Sequence, residues 1–438
     1  MVGRLGVAAV GVAAAGVAAL VLIGPLSPLG GSAGPDAPAT PAAPATPATP
    51  AAPATPAAPD TPAAPDTPTV PTAPSTAVTI VWAEGRVDDD VAAIVAGADG
   101  IVTMTRTRTA QTGLTGSVDA DGTPRDVLAA GWRIPVTIIA LDPVGWARHL
   151  DGTLDVDDLL ALGRLAPGRA LLSERSARLR GVGVGGRIDV AGAVGLEVVG
   201  IVSDRASSGS EVVLHLDEPD VSWLGGRESL LLRHRTGADD ALAAAVDEAE
   251  VLAASRTRTD DEVLRIFDPT TSPGFPIVLG HVAVKERFGE FAYRLVLNQR
   301  EVDIDPAYVD EWIVKERLPI LGEVECHRLI MDDLRAAVDE AVAAGHEAWL
   351  SPRRYAGCFY PRRIAFGRET LSRHTWGIAV DIDVDLSLPG LGPVPDDEII
   401  AIMARHGFRW GGDFTTPDNH HWEWVGEHAL RRPERPGR

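Results

Sequence analysis

His374 and Asp381 stand seven residues apart in SRHTWGIAVDID, residues 372–383. From Ile378 to Asp383 apolar and polar residues alternate, the period of a half-buried strand, so Asp381 shares a face with Ala379 and Asp383. Gly377 lets the chain bend just upstream. A loop histidine and a strand carboxylate can therefore meet at one point. Catalytic zinc takes three protein ligands and keeps a further position for water or substrate, so a third ligand is required. GFRWGGDFTTPDNHHWEW, residues 407–424, offers it: Asp418, His420, His421 and Glu423 fall within six residues. Trp422 and Trp424 alternate with the polar residues there, as on a strand. An aspartate three residues before a histidine supplies a base and a ligand from one short turn.

The two stretches together resemble the zinc D-alanyl-D-alanine metallopeptidases. SRHTWGIAVDID is similar to that family's Ser-x-His-x-x-Gly-x-Ala-x-Asp signature, and WGGDFTTPDNHHWEW to its closing Trp-Gly-Gly-Asp … Asp-x-x-His-aromatic-Glu motif. GCFYPRRI, 357–364, resembles an Arg-bearing stretch that precedes the first signature, and VECHRLIMDDL, 324–334, a helix start of the same branch. The resemblance spans about residues 275–428. The family includes VanY-type D-Ala-D-Ala carboxypeptidases, D-Ala-D-Ala dipeptidases and L-Ala-D-Glu endopeptidases.

The resemblance implies zinc bound by His374, Asp381 and His421, with Asp418 as general base toward the attacking water and Arg362 stabilising the oxyanion. Such roles suit the groups, since a carboxylate can shuttle a proton and a fixed guanidinium matches developing negative charge. Ser372 either hydrogen-bonds substrate or the zinc surroundings, or caps its own loop. Glu423 reads as orienting a ligand, with the base role as its alternative. His421 is preferred to His420 because only His421 keeps the spacing from Asp418. Arg353, Arg354 and Arg363 compete with Arg362, which the preceding proline favours. Asp383 and Asp413 read as structural. The implied substrates are peptidoglycan peptides, either a terminal D-Ala-D-Ala or an L-Ala-D-Glu bond. A zinc-bearing wall-binding module that does not cut is the rival from another class.

Elements must position these groups. Leu334, Val338, Ala341 and Val342 recur at helical spacing, which predicts an amphipathic helix over 328–344 with Gly345 at its C-terminal cap. Cys326 stands just before that helix and Cys358 just before Arg362. In an exported chain the two can form one bridge, tying the helix to the arginine loop. Eight of the eleven histidines and both cysteines follow residue 280.

Upstream, the chain reads as three further parts. Leu5–Ile23 is nineteen residues without a charge, long enough for a bilayer span. It reads as a signal anchor, with a cleaved signal peptide as the alternative, and either exports the remainder. From Pro35 to Pro74 proline occupies every third position, which matches a polyproline II face. At about 3.1 Å per residue that stalk reaches on the order of 120 Å when extended.

Residues 78–265 read as mixed α/β. AVTIVWAEG and WRIPVTIIALD have the look of strands, while the stretches 87–100 and 236–255 look helical, with carboxylates at their starts. Two Arg-Thr alternations, 106–109 and 256–259, suit strands with one polar face. ALLSERSARLRGVGVGGRIDVAG with LEVVGIVSD resembles the extracytoplasmic domain of some ABC-transporter permeases, a non-catalytic kind of domain. It leaves a membrane-complex partner open for this region.

The expected architecture is thus α+β: a membrane segment (1–27), an Ala/Pro/Thr-rich linker (28–77), a separate mixed α/β domain (78–267) and a zinc peptidase domain on a small antiparallel sheet (268–430). The formal net charge of −21 argues against a nucleic-acid partner.

Overall fold

The computed structural model describes residues 76–84, 87–150, 152–217, 227–256, 265–267, 280–350, 355–364, 369–382, 394–414 and 418–430. The apolar N-terminal stretch, the proline repeat, Arg353, Arg354 and Asp383 lie outside them. Among the described residues no helix is long and apolar enough to cross a membrane.

The upstream region is mixed α/β around a large sheet. Strands Trp132–Leu141, Val212–His215, Arg169–Ser173, Ala193–Val202, Arg187–Val190 and Ile101–Val118 are neighbours in that order, and pairing of the last with the first closes them into a ring. Side chains alternate across these strands. Ile134, Val136, Ile138, Ala170, Leu172, Val212 and Leu214 enter one core, while Ile139, Leu141, Leu171 and Val213 enter another. Strand Tyr293–Leu295 extends the sheet by pairing antiparallel with Trp132–Leu141.

The Arg-Thr alternation at 106–109 lies in strand Ile101–Val118. Its arginines are bound rather than merely solvated: Arg106 and Arg108 pair with the buried Glu228 at 3.2 and 2.9 Å. The second alternation is not a strand where it begins. Arg256 closes the helix Asp239–Arg256, because the Ala- and Glu-rich run before it is strongly helix-forming; residues 257–259 lie outside the described residues.

The C-terminal part carries a four-stranded antiparallel sheet, in the order Tyr355–Gly357, Ala379–Ile382, His421–Trp424, Phe408–Trp410. Helix Arg328–Ala343 buries Ile330, Met331, Leu334, Ala337, Val338 and Ala341. The His327 side chain caps its start by accepting from the Leu329 N–H, and Gly345 beyond its end has φ +86°. That helix and helix Asp397–Arg405 share one core with Val380, Ile382, Trp376 and Trp422. Strand Ala379–Ile382 is buried on both faces, not one. It is an inner strand, with Val380 and Ile382 in the core and Asp381 turned toward the site beneath the 372–377 turn.

A buried ion cluster joins the two regions. Lys285 Nζ donates to Glu211 Oε2 at 2.7 Å and to Glu290 Oε1 at 2.9 Å, and Arg180 Nη2 reaches the same Glu290 oxygen at 2.5 Å. Burial opposes the charge on Glu290, but Lys285 and Arg180 hold its carboxyl below the usual glutamate value. Its share of stability is present above the ordinary glutamate pKa and fades as pH falls through the lower folded one. Breaking such a pair leaves an uncompensated buried charge. Lys285→Met is therefore expected to cost about 3–5 kcal/mol in denaturant unfolding; a loss under about 1 kcal/mol would show that the cluster does not hold the regions together.

Candidate metal centre

Three backbone devices bring the predicted ligands and Asp418 together. Ser372 accepts from the His374 N–H and caps a single 3-10 turn, Arg373–Trp376. Gly377 ends that turn at φ +67°, and a Cβ there would lie 2.8 Å from the His327 backbone nitrogen. Only glycine fits, so the chain turns sharply from His374 into strand Ala379–Ile382. In that strand Asp381 lies directly opposite His421 in register, the closest relation two strands offer. Gly411 performs the last service. A Cβ on it would lie 2.6 Å from the Asp418 carbonyl oxygen, so the Gly-Gly pair lets the loop fold back and deliver Asp418 next to strand His421–Trp424.

The result is a triangle of donor atoms. His374 Nε2 is 3.0 Å from Asp381 Oδ1 and 3.3 Å from His421 Nδ1, and His421 Nδ1 is 3.0 Å from Asp381 Oδ1. Tetrahedral bonds of about 2.0–2.1 Å set ligand atoms roughly 3.3 Å apart. The His374 Nδ1–H donates to the Cys358 carbonyl at 2.8 Å, which leaves the Nε2 lone pair facing the other two donors. Three lone-pair atoms so close together fit a cation, and two imidazoles with one carboxylate suit zinc. His374, Asp381 and His421 form the one such three-donor group among the described residues.

Burial opposes ionisation of Asp381, yet His374 and His421 beside it hold its carboxyl well below the usual range. Burial likewise opposes protonation of His421, and the hydrogen bond and charge of Asp381 overturn it, raising the imidazole.

Around the triangle stand the other predicted residues. Arg362 Nη2 is 3.7 Å from Asp381 Oδ2, with its guanidinium 5.7 Å from the Tyr360 ring centre. Arg363 turns away and donates to the Gln299 carbonyl. Asp418 is partly exposed, and His420 Nε2 lies 3.1 Å from its Oδ1. Glu423 does not touch the donor atoms. Its Oε1 accepts from Arg373 Nε at 2.6 Å, both side chains being buried. That pair ties the residue before His374 to the strand carrying His421. Asp413 is buried. Cys326 and Cys358 are bridged, with Cα atoms 5.3 Å apart, which fixes the carbonyl that orients His374.

Arg373 and the Cys358 carbonyl were not singled out from sequence. The first had a signal, an arginine inside the first motif facing a glutamate inside the second. The second had none, since every residue has a carbonyl.

Residues 366–424 match the D-alanyl-D-alanine carboxypeptidase family. The matched segment contains all three donors, the Arg373–Glu423 pair and Asp418. It begins just after Arg362, so the carboxypeptidase-like part is a fraction of the chain. No curated protein matches the sequence. Among solved structures, the chain is similar to the periplasmic region of MacB from Actinobacillus actinomycetemcomitans, at 11% identity over 44% of this chain and 88% of that one, with a TM-score of 0.28. It is similar also to the extracellular domain of the noncanonic ABC-type transporter YknZ from Gram-positive bacteria, at 13% identity over 44% of this chain and 100% of that one, with a TM-score of 0.27. Likeness at that level says nothing of what this chain does.

Proposed function

We propose that the chain is an exported, membrane-anchored zinc peptidase of peptidoglycan stem peptides, acting as a D-Ala-D-Ala carboxypeptidase. The observation that carries this reading is the convergence of His374, Asp381 and His421 inside the carboxypeptidase-like segment. The uncharged run Leu5–Ile23 and the proline repeat beyond it support anchoring and reach.

His374, Asp381 and His421 would hold zinc. Bound there, the metal would polarise the scissile carbonyl and bring the pKa of water down to about 7. Asp418 then accepts a proton from the attacking water and passes it to the leaving amine. Arg362, beside Asp381, donates to the carbonyl oxygen as negative charge grows on it. The Arg373–Glu423 pair and the Cys358 carbonyl keep both imidazoles fixed while charge moves. Ser372 holds the turn and remains near enough in sequence to His374 to be a candidate for substrate contact.

The bond is tested with defined stem peptides and zinc-loaded protein. Release of the terminal D-Ala is expected. Cleavage beside L-Ala would instead assign the endopeptidase activity of the same family, and binding of peptide with no cleavage would assign a wall-binding module.

A further inference from the structure

The turn that carries His374 is also held from far upstream. Strand Ile101–Val118 belongs to the ring-forming sheet, yet its Gln111 and Thr112 reach the segment entering the turn. The Leu371 N–H donates to Gln111 Oε1 at 2.5 Å. A backbone N–H can only donate, so this contact fixes the orientation of the amide. Gln111 Nε2 then donates to His281 Nδ1 at 3.0 Å, and the His281 ring meets Trp376 edge-on at 5.4 Å. Two residues before Leu371, Glu369 Oε2 accepts from Thr112 Oγ1 at 3.2 Å, and its Oε1 accepts from Arg133 Nη1 at 2.5 Å. Gln111, His281 and Leu371 are all buried, so none of these partners can be exchanged for water without cost.

We infer that Gln111, Thr112 and Arg133 are positioning residues for the metal centre, acting through Leu371 and Glu369 to set the path of the Ser372–Gly377 turn. The upstream region is on this account part of the metal site's support rather than a spacer. The inference rests on the zinc reading above. It makes the affinity for metal depend on side chains about 240–260 residues away from His374 in sequence. Partners that orient a ligand are worth roughly 10–100-fold in metal affinity.

The test uses the full chain and zinc alone, with the dissociation constant measured by competition against a chromophoric chelator. Gln111→Met keeps the side-chain length and removes both hydrogen bonds. It is expected to weaken zinc binding about tenfold, and Glu369→Gln, which removes the charge facing Arg133, to weaken it in the same direction. The melting temperature of the metal-free protein is read alongside. A role in packing alone would lower that temperature and leave the zinc constant of the folded protein at the wild-type value, which would overturn the inference. Should Gln111→Met not fold, Glu369→Gln decides on the same terms. A wild type that takes up no zinc would count against the peptidase reading and this inference together, whereas tight binding by wild type and both variants alike would sink the inference alone.

Discussion

His374→Ala is expected to empty the site of zinc. Removing the imidazole takes away one of three protein donors and leaves the Cys358 carbonyl without the Nδ1–H it accepts. If the free energy of a tight zinc site, about 10–16 kcal/mol, is shared among three ligands, one ligand is worth on the order of 3–5 kcal/mol, or roughly 10²–10⁴-fold in affinity. After dialysis, wild type should retain about one zinc per chain and the variant almost none. The core formed by Trp376, Val380, Ile382 and Trp422 with the two helices does not include the His374 imidazole, so the protein should stay folded. A variant that keeps its zinc would mean the metal is held elsewhere.

Asp418→Ala should separate binding from chemistry. Asp418 lies outside the donor triangle and is partly exposed, so its loss should spare the zinc content. As the group that moves the proton it is worth about 10²–10⁴-fold in kcat, with KM little changed. Glu423→Gln offers the contrast. Glu423 is engaged with Arg373 at 2.6 Å, so its replacement should weaken metal retention before it slows the chemistry. A kcat for Asp418→Ala within tenfold of wild type would remove it as the base.

Much of the site was legible in the sequence because its parts are local. His374, Gly377 and Asp381 lie within one turn and one strand, and Asp418 and His421 within one loop and the next strand. Each short motif sets its own geometry, and a single register, Asp381 opposite His421, brings the two together. The amphipathic helix was legible for the same reason, since its buried residues repeat with helical period. The alternation in IAVDID gave the strand but not its burial. Whether a second layer covers the polar face depends on distant residues, and period alone does not register them.

What stayed illegible is non-local. The pairing of Tyr293–Leu295 with Trp132–Leu141 uses backbone groups that every residue carries. The hold of Gln111 on the Leu371 N–H has the same character. Nothing in a glutamine on an upstream strand announces that its amide caps a loop near a metal. The Arg-Thr repeats show how far local pattern misleads: the same four letters lie in a strand at 106–109 and begin at the end of a helix at 256.

The most direct test of the central claim is metal removal and return. The full chain is stripped with a chelator, and release of D-Ala from a defined stem peptide is followed as zinc is added back. The account predicts no release without metal and recovery that saturates at about one zinc per chain. Undiminished release by the stripped protein, or a protein with one zinc that cuts neither the D-Ala-D-Ala nor the L-Ala-D-Glu bond, would contradict it.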